Sequence, residues 1–74
     1  MSIELRAPAT GTLIEIYVRE SDAVTAGQEL FVIESMKMEI PVTSPVAATV
    51  QSMPVSEGVT VAEGDVLAVL ERTD

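Results

Sequence analysis

The chain repeats itself once, and the repeat constrains its fold more than any other feature. Pro8 matches Pro45, and the same shift of 37 positions pairs Thr12 with Thr49, Val18 with Val55 and Glu20 with Glu57. The register continues without a gap through Val24 and Val61, Gly27 and Gly64, Leu30 and Leu67, Val32 and Val69, and Glu34 and Glu71. Two copies are too few for a solenoid, where at least three units stack to bury a continuous core. They point instead to two similar halves packed face to face around a pseudo-twofold axis. Each half alone makes a small sheet with one bare apolar face, which is unstable in water. Two halves covering each other make one core, so residues 1–74 are expected to form a single domain.

Each copy is written in strands. Valine, isoleucine and threonine supply much of the sequence, and their stiff χ1 suits a pleated surface. Residues 3–6 alternate apolar and charged, and residues 7–11 break the run. Residues 12–18, 30–34 and 40–43 read as further strands, with a polar turn over 19–22, a short apolar contact at Val24 and a turn at Ala26-Gly27-Gln28. The alternation slips once, and in both copies. Leu13 and Val50 are apolar at one parity, whereas Ile16 with Val18, and Met53 with Val55, follow the other. One extra residue, a bulge, would bring both sets inside. Pro41 and Pro54 lack an N–H, so each belongs at an edge, a strand end or a bulge. Tyr17 and Phe31 are the only aromatics and there is no cysteine, so an aliphatic core must hold the fold without disulfides. The expectation is an all-β chain with no helix beyond a single turn.

Charge and composition narrow the function. A formal charge of −8 repels phosphate backbones and anionic membranes, so neither nucleic acid nor membrane is expected as a partner. Its ordinary effect is to keep a small protein soluble and, on its own, monomeric. The longest apolar run, from Val66 to Leu70, is far too short to span a bilayer. No basic segment followed by an apolar stretch opens the chain, so the cytoplasm is the expected compartment. No catalytic set can be assembled. Histidine and cysteine are absent, which also removes the usual zinc ligands, and the serines have no base beside them. Glu63-Gly64-Asp65 lacks the ligand count of a calcium loop, so no metal site is expected. The chain reads as a module that is not an enzyme.

One stretch stands apart from this scaffold: Glu34-Ser35-Met36-Lys37-Met38-Glu39. Strand-like runs flank it, which reads as a β-hairpin with Met36-Lys37 at its apex. Lys37 is the only lysine of the chain and lies between two of its four methionines. An ammonium at such an apex is hydrated and reachable by a large partner, which suits a group that is to be modified. The ordinary alternative is an exposed lysine with two methionines filling gaps beneath it.

The hexapeptide resembles the attachment motif of biotinyl domains, where a lysine flanked by methionines carries biotin through a side-chain amide. The match falls on Met36, Lys37 and Met38, with Glu34 and Ser35 before them as motif residues open to recognition. The related lipoyl domains usually carry an acidic residue before the lysine and alanine after it, so Met36 and Met38 favour biotin. The whole chain is similar to this biotinyl/lipoyl family, which implies a flattened barrel (sandwich) of two four-stranded antiparallel sheets with pseudo-twofold symmetry. It also implies a modified lysine on a hairpin at one end and the termini together at the other. Ser21 departs from the glycine common before Asp22, and Ala48 departs from Gly11 of the first half. Residues 12–24 leave no room for the inserted thumb of some bacterial carriers, which moves the resemblance toward thumbless biotin carboxyl carrier proteins. The resemblance implies a swinging arm. A biotin protein ligase would activate biotin with ATP, and the Lys37 amine would attack the adenylate. A biotin carboxylase would then load carboxylate and a carboxyltransferase unload it, as in a carboxylase or decarboxylase. A lipoyl carrier, an unmodified interaction module and the half-barrel of an export adaptor remain the alternatives.

Overall fold

The alternating runs become eight strands, and the computed structural model, which describes residues 1–73, is all-β. In chain order they are β1 (Ser2–Arg6), β2 (Gly11–Ile16), β3 (Ala23–Val24), β4 (Glu29–Ser35), β5 (Met38–Thr43), β6 (Ala48–Ser52), β7 (Thr60–Val61) and β8 (Val66–Arg72). They form two four-stranded antiparallel sheets, ordered β1-β8-β6-β3 and β5-β4-β2-β7. The whole measures 36 × 20 × 18 Å, a flattened barrel. Among the described residues no helix is long and apolar enough to cross a membrane.

Moving 37 positions along the chain carries β1 onto β5, β2 onto β6, β3 onto β7 and β4 onto β8. One sheet order then becomes the other, so the pseudo-twofold expected from the repeat is present. The halves do not, however, make one sheet each. The first half's β1 and β3 form the edges of the sheet built on β8 and β6, and the second half's β5 and β7 edge the sheet built on β4 and β2. The repeat is blind to this difference, because identical residues fit pairing within a half or between halves. Backbone bonds fix the exchange in matched pairs. Gly27 N donates to Ser44 O at 2.7 Å, and its counterpart Gly64 N donates to Ala7 O at 2.9 Å. Ser44 N returns a bond to Gln28 O, and Ala7 N returns one to Asp65 O.

Both expected bulges are present. The β2–β4 register shifts between Leu13 and Glu15, and the β6–β8 register between Val50 and Ser52. The shift takes Leu13 and Val50 fully inside while leaving Ile16, Met53 and Val55 packed against the same cluster. Pro41 lies on the edge strand β5, and Pro54 lies just past the end of β6. β2 ends at Ile16, short of the expected Val18. Tyr17 N still donates to Leu30 O, but the chain then reverses at Arg19–Asp22 and leaves Val18 buried without strand pairing. The core is aliphatic around Phe31, with Leu13, Leu30, Ile33, Leu67 and Leu70 fully enclosed. Truncating one such leucine to alanine typically costs about 2–5 kcal/mol. That is a large share of the few kcal/mol available to so small a domain.

Ser21 explains itself by symmetry. It sits at φ 77°, and its counterpart in the second half is Gly58 at φ 90°. Both positions donate across the barrel, Ser21 N to Val50 O and Gly58 N to Leu13 O, so the left-handed conformation is imposed by the interlock. A side chain there costs about 1–2 kcal/mol. Part of the gain from glycine is returned through its freer unfolded chain. Ser21→Gly is therefore expected to stabilise the domain by about 1 kcal/mol. The urea midpoint measures it, and an unchanged or lower midpoint would contradict the strain.

Candidate functional site

A two-residue loop closes β4 onto β5. Their register runs from Glu29 opposite Thr43 to Ser35 opposite Met38, leaving only Met36 and Lys37 at the tip. Both have positive φ, 50° and 64°. That is the sign pattern of a type I′ turn, whose twist matches the right-handed twist of the strands it joins. Asn-Gly usually occupies it because each left-handed position costs a residue with a Cβ about 1–2 kcal/mol. Met36-Lys37 is thus a strained apex, and strain of this kind persists only where its surroundings over-determine it.

The surroundings do so at the hairpin base. Ser35 Oγ donates to Thr10 O at 2.8 Å, and Thr10 Oγ1 accepts from Glu63 N at 2.9 Å. Gly11 passes directly beneath, where an added Cβ would run into the Glu34 carbonyl oxygen. Its counterpart Ala48 carries a Cβ and is buried, so the two halves differ at this point. Ser35, expected as a recognition residue, is half-buried and anchors the turn. Thr10 was not legible as part of the site, since its role comes from a contact 25 residues away in sequence.

Lys37 is exposed, and its Nζ makes no hydrogen bond or ion pair among the described residues. Met36 is 93% exposed and Met38 65%. The methionines therefore fill no gap beneath the lysine, which removes the ordinary reading of this sequence. Glu34 is exposed on β4 directly opposite Glu39 on β5. Like charges facing across a ladder are destabilising.

The strand pair related to this hairpin by the pseudo-twofold is β8–β1, and there the chain is open. Arg72 N donates to Met1 O, and the N-terminal amine meets Glu71 at 2.6 Å. That hydrogen bond and charge hold the Glu71 carboxyl below the ordinary glutamate range. β1 runs away from this junction to Arg6, whose Nη1 donates to Gly64 O beside the Glu63–Thr10–Ser35 chain. The hairpin and the termini thus stand at opposite ends.

The turn's chemistry makes a test. Lys37→Ala keeps a Cβ at the same φ and loses no contact, so it should shift stability by no more than about 0.5 kcal/mol. Asn-Gly in place of Met36-Lys37 removes the strain and should add about 1 kcal/mol. Denaturant midpoints of M36N/K37G and K37A decide it; a destabilised K37A would mean that the lysine packs.

Residues 3–70 match the family described as biotin-requiring enzyme. The chain is 45% identical over 67 residues to the mitochondrial propionyl-CoA carboxylase alpha chain of Homo sapiens, covering 90% of this chain and 9% of that protein. It is 40% identical over 70 residues to a biotinylated protein TB7.3 homolog of Mycobacterium leprae, covering 95% of this chain and 99% of that one. Among solved structures, a single-chain, multi-domain long-chain acyl-CoA carboxylase superposes with a TM-score of 0.92 at 37% identity, over 99% of this chain and 7% of that chain. A Bacteroides eggerthii efflux transporter superposes with a TM-score of 0.89 over 99% of this chain and 40% of its own, but at 12% identity, which is a likeness of fold alone. The chain is therefore the size of a small part of the large carboxylases and nearly the whole of the mycobacterial protein.

Proposed function

This chain belongs to the biotin-requiring enzyme family, and we propose that residues 1–74 form one biotin carboxyl carrier domain with biotin amide-linked to Lys37. The observation that carries this reading is an unpartnered, exposed Nζ, belonging to the only lysine, on a braced turn between two exposed methionines. Amide formation needs a free primary amine with open access, and these residues supply one.

Attachment requires the Nζ to lose a proton and form a bond to the activated carboxyl carbon of biotinyl-adenylate, releasing AMP. The partner for this step would be a biotin protein ligase. The chain's own part is to hold the amine at the apex with the barrel intact. When bound, biotin supplies a ureido nitrogen that can carry carboxylate between a biotin carboxylase and a carboxyltransferase. No residue of this chain is assigned to that chemistry; the domain acts as a non-catalytic carrier. Tethering to a rigid base raises the effective concentration of the carried group at both sites, which is the physical gain over a free cofactor.

The test is intact mass after incubation with biotin, ATP and a biotin protein ligase. One added biotin is expected on the wild-type chain and none on Lys37→Arg, whose guanidinium keeps the charge but does not become a nucleophile. Label surviving in Lys37→Arg, or lipoylation of the wild type in place of biotinylation, would overturn the reading.

The flanks separate biotin from lipoate. Met36 and Met38 stand clear of the barrel, so they are what a modifying enzyme can read beside the lysine. Met36→Asp with Met38→Ala is expected to lower biotinylation and raise lipoylation by a lipoate ligase. Unchanged rates of both would remove the methionines from recognition.

A further inference from the structure

The two sheets are equivalent in backbone and unlike in charge. The strands of the β1-β8-β6-β3 sheet carry Glu4, Arg6, Glu71 and Arg72, two acids balanced by two bases. Those of the β5-β4-β2-β7 sheet carry Glu15, Glu29, Glu34 and Glu39 and no base. Register sets all four carboxylates on the outer face, Glu29 by its pairing with Thr43, the neighbour of inward-facing Val42. Glu15 and Pro41 flank Val32, and Glu39 and Thr12 flank Glu34, while Leu13, Phe31, Ile33 and Val42 take the interior. Glu29 is exposed at the start of β4.

This face also has an apolar centre of its own. Val32 is only 6% exposed, yet it lies outside the interior cluster. Tyr17, just past β2, is 54% exposed. Desolvation, and then the charges of Glu15, Glu29 and Glu39, push its phenol above the ordinary tyrosine range. An exposed aromatic ring thus stands among three carboxylates.

The acids elsewhere mostly serve the fold. Glu4 pairs with Arg6 and Glu71 with the N-terminus. Glu20, Asp22, Glu57 and Asp65 accept from the backbone N–H groups of Met53, Arg19, Ile16 and Ala62. The four on this face make no hydrogen bond or ion pair among the described residues, and Glu34 directly opposes Glu39. Glu34 and Glu39 weaken the ladder they share, and the carboxylates of Glu15 and Glu29 make no bond that supports it, so the fold does not account for the four.

We propose that the outer face of the β5-β4-β2-β7 sheet, centred on Tyr17 and Val32, docks a basic surface of the enzyme that acylates Lys37. The inference rests on the assignment of Lys37 as the attachment site. An enzyme that forms the amide must bring its reacting carbon to bonding distance of Nζ, so it must cover the apex and the surface beside it. Glu34 and Glu39 are the strand pair next to Ser35–Met38, so this surface begins at the apex. Enzymes that meet only the end of the finished tether need no such contact. Arginine and lysine side chains complement the carboxylates, and a guanidinium over Tyr17 adds a cation–π contact.

The experiment is steady-state biotinylation of the full chain by a purified biotin protein ligase, at low and high salt. E15Q/E29Q removes two charges from this face at positions outside the attachment motif whose carboxylates make no hydrogen bond among the described residues. E4Q/E71Q removes two from the opposite sheet, touching only exposed ion pairs and the exposed Ser2–Glu71 hydrogen bond. The first is expected to lower kcat/KM about fivefold to tenfold at low salt, mainly through KM, and to flatten its salt dependence. The second should stay within about twofold of wild type, since it leaves the docking surface untouched. Tyr17→Ser should raise KM at both salt concentrations. Equal kcat/KM for the two double variants, with label on Lys37 in each, would overturn the docking face and leave the attachment site standing. A wild-type chain that accepts no biotin would overturn both.

Discussion

The barrel depends on a reciprocal set of backbone hydrogen bonds through which each half completes the other. The Gly27 and Gly64 turns donate to Ser44 and Ala7, and the Ser21 and Gly58 turns donate to Val50 and Leu13. These bonds place the two-residue strands β3 and β7 in the opposite half's sheet. A two-residue strand has no stability of its own. It survives because Val24 and Val61 bury their side chains in a core already closed by longer strands. Neither half can be folded while the other is not, which gives a chain without disulfides a single cooperative unit.

Symmetry of this kind leaves function to the places where it is broken. The β4–β5 pair is closed by Met36-Lys37, while its counterpart β8–β1 holds the chain ends. The support beneath the two also differs. Gly11 lies against the Glu34 carbonyl and Thr10 braces Ser35, whereas the second half places a buried Ala48 where the first has Gly11. Strain at two successive left-handed residues is thus concentrated where the exposed Lys37 amine stands. The brace holds the base of the hairpin at Ser35, directly beneath the two-residue tip that carries Lys37.

Much of this was legible in the sequence, for identifiable reasons. The 37-residue shift gave the pseudo-twofold, and the parity slips at Leu13/Ile16 and Val50/Met53 gave the bulges, because side chains of a strand alternate with a strict period of two. The apex was legible because Lys37 lies between two apolar runs. The exchange of short strands was not, since Ala23–Val24 and Thr60–Val61 are too brief to show a period. The positive φ of Met36 and Lys37 was also hidden: neither residue favours it, and only the ladder on both sides imposes it. The motif marks Ser35 as open to recognition and is silent on the bond that its hydroxyl donates to the Thr10 carbonyl. That bond joins residues 25 apart in sequence, so only the fold brings it into view.

The proposed acylation of Lys37 would change the electrostatics of this end of the molecule. Before it, the ammonium of Lys37 partly offsets Glu34 and Glu39 on the adjoining strand pair. Afterwards the amide is neutral and the formal charge of the chain falls from −8 by one unit. A basic surface is then attracted at least as strongly as before, so charge alone cannot distinguish unmodified chain from product. Discrimination has to come from the apex itself, where a primary amine is replaced by a longer, neutral arm. On the proposed reading the acidic face and the turn would divide the work: the face would draw a partner in, and the strained, exposed apex would decide whether there is anything left for it to do.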